Sequence, residues 1–272
     1  MKTFRLIMIL LIVVLCTTVS YSQTNETQKS ATNNPQIQSG NAEISKTVAE
    51  IRELLKNKII ISKRNYDEKE NEEYNEWGTP TNLQILEDRI EFKFKKGNII
   101  YYYSDLIVDN ITTIYSAKKD YGPDFGKKFI IYSEVKGEGV KLIEKFILLQ
   151  KQIKENFFNS QLALFNPTAT QYRLLKTKPA ISEEQRKFII QANMFNQEKS
   201  YDKAIEMYNK AVNIDQTSYP AAYSNLALLS AQLLKYHEAI YNMKKYLLLD
   251  PEASDARSCQ DKIYEWEAKI GK

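Results

Sequence analysis

Enzymatic chemistry needs particular residue types at particular spacings: a nucleophile beside a base, a set of metal ligands, or a glycine-rich turn under a phosphate. The 272-residue chain supplies one histidine, His237, two cysteines, Cys16 and Cys259, and only eight glycines, none in a phosphate-loop pattern. Its densest run of carboxylates, residues 67–76, reads as a solvated loop rather than a metal cluster. No nucleophile has a partner base at a recognisable spacing, so no catalytic, cofactor-binding or metal-ligating residue is assigned. The expectation is a protein that is not an enzyme, takes no cofactor, and works by binding.

Charge narrows what it binds. The formal net charge is +4, and removing Lys2 and Arg5 of the leading segment leaves 4 − 2 = +2, spread along the chain. That argues against a nucleic-acid partner. The leading segment itself reads as a targeting signal: a short basic start, an unbroken apolar run over residues 6–15, then Ser20-Tyr21-Ser22 before a cut at Gln23. Ten apolar residues span roughly 15 Å as a helix, short of a bilayer core, so a cleaved signal is favoured over an anchor. Val13-Val14-Leu15 lacks the small residue that lipidation at Cys16 would want. Loss of Cys16 leaves Cys259 without a disulfide partner, and its expected role is a small apolar residue on a helix face. Export without disulfides suits a bacterial periplasmic, outer-membrane-associated or secreted protein. Membrane association is compatible with this but not required.

The elements that would position a binding surface follow from periodicity. Residues 23–40 are polar and read as a flexible spacer after the 1–22 signal. Ile44, Val48, Ile51 and Leu55, four, three and four apart, place one apolar stripe on a helix. Ile59-Ile60-Ile61 is a short strand. Arg89-Ile90-Glu91-Phe92-Lys93-Phe94-Lys95 alternates with period two, Lys96-Gly97-Asn98 supplies a turn, and residues 99–103 run back as a hairpin. Residues 107–115 and 128–133 read as further strands, with turn-rich residues 120–126 between them. Leu142, Phe146, Leu149 and Ile153, widened by Ile143 and Ile147, then form a helical stripe. Residues 158–181, with Pro167 and Pro179 and no sustained periodicity, read as the linker to the next domain.

The order of residues 41–157, antiparallel strands followed by an amphipathic helix, resembles the pleckstrin-homology-like superfold. The resemblance implies a β barrel or sheet closed by its C-terminal helix. It also implies that Lys93 and Lys95 stand where that family sometimes holds lipid headgroups, although solvated lysines on a strand face give the same pattern.

The remainder, residues 182–272, repeats itself. Ser182-Glu183-Glu184-Gln185 fits a capping box opening a helix. With a shift of about 35, Tyr201-Asp202-Lys203-Ala204-Ile205 falls on Tyr236-His237-Glu238-Ala239-Ile240, and Phe188, Ala192 and Asp215 fall on Tyr223, Ala227 and Asp250. His237 thereby aligns with Asp202 at a turn, which makes it an exposed turn residue rather than a base. The alanines mark the close approach of paired helices. The pattern resembles the tetratricopeptide repeat. Phe188, Ala192, Phe195, Ala204, Tyr208 and Ala211 occupy that family's signature positions in a first unit. Tyr223, Leu226, Ala227, Ala239 and Pro251 do so in a second, while Ser230 and Tyr246 depart from it. Residues 255–269, with Ile263 and Trp266, would form a polar-faced capping helix. The fold class expected is therefore α+β, in two domains, with the second all-α.

What the resemblance implies about partners is a groove lined by the first helix of each pair, taking an unidentified protein or peptide on the concave face. Arg186, Ile189, Asn193 and Gln197 would face it from the first unit, and Ser224, Asn225, Leu228 and Gln232 from the second. A subset of the family clamps a terminal carboxylate with paired asparagines and several cations. Asn193 and Asn225 match the asparagines, but Ile189, Asp255 and Cys259 stand where the cations belong, so no such clamp is expected. The function expected is an exported adaptor or assembly factor of the cell envelope. The alternative is an envelope protein whose β domain binds lipid or glycan while the repeats self-associate.

Overall fold

The computed structural model describes residues 35–270, apart from 57–58, 67–71, 87–88, 108–110, 117–119, 126–128, 134 and 136. The targeting segment, the first part of the spacer and residues 67–71 of the acidic run lie outside the described residues. The chain divides into two compact units, one of residues 39–157 and the other containing residue 158 onward. No described helix is long and apolar enough to cross a membrane.

Ahead of the strands, helix α1 (Pro35–Leu55) puts Val48, Ile51 and Leu55 into the core, with Ile44 packed at its edge. It begins inside the stretch expected as spacer, at a proline, which suits the first turn of a helix because no N–H is lost there. Eight strands follow among the described residues: β1 (Ile59–Tyr66), β2 (Glu72–Gly78), β3 (Asn82–Ile85), β4 (Arg89–Phe94), β5 (Gly97–Tyr102), β6 (Ile111–Ser116), β7 (Asp120–Phe125) and β8 (Phe129–Ser133). A 3-10 turn, Tyr103–Ile107, separates β5 from β6.

The strands form two antiparallel sheets, ordered β2-β1-β8-β7-β6 and β3-β4-β5. Of the barrel or sheet that the resemblance implies, the structure has antiparallel sheet and no closed barrel, with no ladder between the two sheets among the described residues. Local backbone explains both breaks. Gly78 takes φ +76 as the chain leaves β2, and β5 runs directly into the 3-10 turn, which buries Tyr103 and Leu106. The hairpin of β4 and β5 forms in the expected register, Ile90 opposite Tyr101 and Phe92 opposite Ile99. Its loop is Lys95-Lys96, one residue earlier than expected, because Gly97 already pairs with Phe94. Gly97 has φ +143, and a Cβ there would stand 3.6 Å from the Trp77 ring.

Two loop expectations become strands. Residues 72–76 of the acidic run belong to β2, and the turn-rich stretch at 120–125 is β7, in which Pro123 pairs opposite Thr113. Proline removes one ladder donor, and β7 pairs with β8 at Asp124 and Ile130. The core between the sheets is aromatic. Phe125 stacks on Phe129 at 4.7 Å, and Tyr101 meets both edge-on.

Helix α2 (Glu138–Leu174) buries Leu142, Phe146 and Leu149 in that core, Phe146 meeting Phe125 at 4.7 Å, while Ile147 faces outward. The linker expected at 158–181 is largely absent: α2 continues to Leu174 with Pro167 inside it. A proline at 167 leaves the Ala163 carbonyl without its helical donor. Ala163 borders an open cleft of about 420 Å³, so water can take that carbonyl and the helix need not break.

Among the described residues from 158 onward, the second unit holds residues 158–174 of α2 and five further helices. These are α3 (Glu183–Gln197), α4 (Tyr201–Ile214), α5 (Ala221–Gln232), α6 (Tyr236–Leu249) and α7 (Ala256–Ile270). Helices α3 with α4 and α5 with α6 form two hairpins. Ala192 and Ala204 in one, and Ala227 and Ala239 in the other, are fully buried, and only a methyl at those sites lets helix axes approach closely. Both hairpin turns end their first helix alike. Ser200 N–H donates to Phe195 O and Lys199 N–H to Asn196 O; Lys235 N–H donates to Ser230 O and Leu234 N–H to Ala231 O. This double bond pattern needs one left-handed residue, taken here by Lys199 (φ 58) and Leu234 (φ 59). Helix α7 buries Cys259, Ile263 and Trp266 against the second hairpin.

Candidate functional site

Ser182 accepts from Gln185 N–H and Gln185 accepts from Ser182 N–H, so the capping box that opens α3 is formed. Gln185 does more than cap. Only 1% exposed, it donates to the carbonyls of Ala211 and Asp215, the last turn of α4, and accepts from the Ser218 hydroxyl. One amide thus fixes the start of α3 against the end of α4.

The residues expected to face a groove fall on α3 and α5. Arg186, Asn193 and Gln197 are exposed on α3, with Arg186 in a loose 3.9 Å pair with Glu183. Ile189 is buried and belongs to the floor rather than to a contact surface. On α5, Leu228 and Gln232 are exposed, Asn225 is half-buried, and Ser224 spends its hydroxyl on the Ala221 carbonyl. The structure joins two of these through a third residue. The Tyr208 hydroxyl of α4 donates to Asn193 Oδ1 at 2.5 Å and accepts from Asn225 Nδ2 at 3.0 Å. Burial pushes Tyr208 up to about 12, helped by Tyr219 and opposed by the Asn225 bond, so the hydroxyl keeps its proton. The bridge orients both amides and leaves Asn193 Nδ2 as a donor and Asn225 Oδ1 as an acceptor.

Cations are missing from this face where a carboxylate clamp would need them. Asp255 accepts from the Tyr246 hydroxyl at 2.8 Å. The Cys259 thiol is buried, and burial first, then Asp255, pushes it up to about 11, so it stays protonated and inert. His237 sits in the first turn of α6, half-buried rather than exposed.

A sequence model described as TPR repeat matches residues 192–233, from mid-α3 to the end of α5. The helical hairpins around residues 192–233 are a tetratricopeptide-repeat region. No solved structure matches the chain. Of the TPR signature residues, Ala192, Ala204, Tyr208, Ala211, Tyr223, Leu226, Ala227 and Ala239 are buried, while Phe188 and Phe195 pack at the core's edge. Pro251 stands exposed in the turn after α6.

Two features of this region escape the repeat pattern. Tyr208 stands at a signature position of the repeat, yet a buried tyrosine hydroxyl must find partners, and that rule points to Asn193 and Asn225. The second is an aromatic box around Lys245 of α6. Its Nζ lies 4.2 Å from the Phe165 centroid, 4.4 Å from Tyr223 and 5.4 Å from Tyr241. Among the described residues no carboxylate pairs with it. Burial pulls the ammonium down to about 8. Phe165 comes from α2, whose Ala169 and Tyr172 enter the same core and whose Arg173 donates to the Leu248 carbonyl. The TPR hairpins therefore have a further helical partner ahead of them.

Proposed function

We propose that the chain is an exported, non-enzymatic interaction module of the cell envelope that holds an extended protein segment along α3 and α5. The observation that carries this is the Asn193–Tyr208–Asn225 bridge, which presents one fixed donor and one fixed acceptor beside exposed Leu228. A peptide backbone offers the complementary pair at every residue. TPR regions generally mediate protein–protein contacts, which favours the same reading. With Ile189, Asp255 and Cys259 in place of cations, the face is read as taking an internal segment rather than a terminal carboxylate. Export is supported by the basic start, the apolar run at residues 6–15 and Ser20-Tyr21-Ser22. For residues 39–157, the strand order followed by a helix that packs Phe146 on Phe125 supports a pleckstrin-homology-like reading.

A photo-crosslinking side chain placed at Leu228 tests the face in the native host. Capture of a discrete protein from Leu228 but not from exposed Glu206 on α4 is expected, and equal labelling from both removes the assignment. Matched peptides from the captured protein, ending in a free acid or an amide, should then bind alike. A clear preference for the free acid refutes the internal-segment reading.

A further inference from the structure

The first unit carries a cleft that the TPR reading does not use. It lies between the end of α1 and the β2–β3 connection, has a volume of about 540 Å³, and falls within the size range of small-ligand sites. Its floor is aliphatic: Leu55, Ile59, Leu83 and Ile85. Its rim holds two cations, Arg52 and Lys56, with Thr79 and Asn82 opposite, and among the described residues no carboxylate lines it. Arg52 is held in place, because its Nη2 donates to the Ile85 carbonyl at 2.6 Å. That bond uses one guanidinium N–H and leaves the others directed by a fixed group. Lys56 lies 2.7 Å from Glu53, which is outside the lining, in an exposed pair that an incoming anion can compete with. Thr81 is already occupied, donating through its hydroxyl and its N–H to the Lys93 carbonyl, which fixes the far wall.

An aliphatic floor under a cationic rim matches one class of ligand. We propose that this cleft binds the oxyanion head and first methylenes of an anionic amphiphile, a carboxylate or phosphate on an aliphatic chain. Arg52 and Lys56 take the head, Thr79 and Asn82 complete its hydrogen bonds, and Leu55, Ile59 and Leu83 receive the chain. A sugar ring is a poorer fit, since among the described residues no aromatic side chain lines the cleft to stack on it. The proposal stands apart from the TPR face, since its residues all lie in 39–157.

Titration calorimetry on the full chain tests it, with sodium decanoate and decyl phosphate below their micelle concentrations as probes. Decyl maltoside and inorganic phosphate supply the chain and the head separately. Both anionic probes should bind at least about tenfold more tightly than either control, the scale of one charge-assisted hydrogen bond. Lys56→Gln and Thr79→Glu alter only exposed side chains, and each should weaken decanoate by about tenfold or more with the circular dichroism unchanged. Vesicles of phosphatidylglycerol and phosphatidylcholine distinguish the source. Retention on the former that Thr79→Glu abolishes assigns the head to a membrane lipid; decanoate binding without retention assigns a free amphiphile. Equal affinity for decyl maltoside, or binding that neither variant changes, overturns the proposal.

Discussion

Lys245 makes the TPR region's stability depend on pH in an unusual direction. Its ammonium is enclosed by Phe165, Tyr223 and Tyr241, and burial pulls it from 10.5 to about 8. A base depressed on folding costs stability in full below its folded value, and the cost is relieved as pH rises toward the unfolded value. A fall from 10.5 to about 8 corresponds to about 3 kcal/mol at 1.36 kcal/mol per tenfold change. The three ring faces hold the cation and offset part of this, about 0.5–1 kcal/mol in partly exposed cases. A rise of about 2 kcal/mol between about pH 7 and about pH 10 is the expected net. Other groups act the opposite way. Cys259, raised to about 11, and Tyr241, raised to about 12, are acids whose folded forms hold their protons, so they lose stability as pH passes 9 and 10. The readout is therefore a difference. Urea unfolding of the wild type and Lys245→Met, followed by Trp266 fluorescence in a Trp77→Phe background, cancels the shared groups. Wild-type stability minus variant stability should climb by about 2 kcal/mol across the window. Parallel curves would show that the ammonium is not desolvated, and the reasoning fails.

Three further outcomes follow from the same unit. Leu234, 71% exposed at φ 59, gains nothing from its side chain and holds a conformation that suits glycine, so Leu234→Gly should raise stability by about 1 kcal/mol in thermal unfolding. Gln185→Leu removes the donor to two carbonyls and the acceptor for Ser218, and should cost about 2–3 kcal/mol by urea unfolding; a loss below half of that would mean water replaces the amide. Iodoacetamide should modify Cys259 at pH 8 far more slowly in the folded chain than in urea, because the thiol is buried and raised to about 11.

How much of this could be read from the sequence depends on how local the determining contacts are. The TPR hairpins were legible because each alanine that sets the helix spacing lies near its partner in the chain, Ala192 with Ala204 and Ala227 with Ala239, and because the spacing repeats. The hairpin of β4 and β5 was legible for the same reason. The pairing of β1 with β8 joins Ile59 to Ser133, and nothing in either strand names the other. Non-local pairing also explains β7: Gly122 and Pro123 favour a turn by themselves, and only the neighbouring strand makes them extended. In the candidate site the asparagines could be placed by alignment to a family, but not the hydroxyl between them, since Tyr208 is 15 residues from Asn193 and 17 from Asn225.

The helix at 158–174 is the instructive miss. Phe165, Ala169 and Tyr172, spaced four and three, form a buried stripe in the sequence, and Pro167 hid it. Proline favours a break because the helix loses a hydrogen bond and gains a clash, about 3 kcal/mol in isolation. The burial of Phe165 and Tyr172 outweighs that, since a large aromatic or aliphatic side chain fully buried is worth about 1.5–3 kcal/mol, and the freed Ala163 carbonyl lies at an open cleft. Local propensity therefore gives the wrong answer wherever the stabilising partner is distant in sequence. Here that partner is the Lys245 box, 80 residues on from Phe165, whose one cation touches rings from α2, α5 and α6 at once. A lysine in the middle of a TPR helix reads as solvated until those three rings are brought around it, so the desolvation of Lys245 could not be seen in the sequence around it.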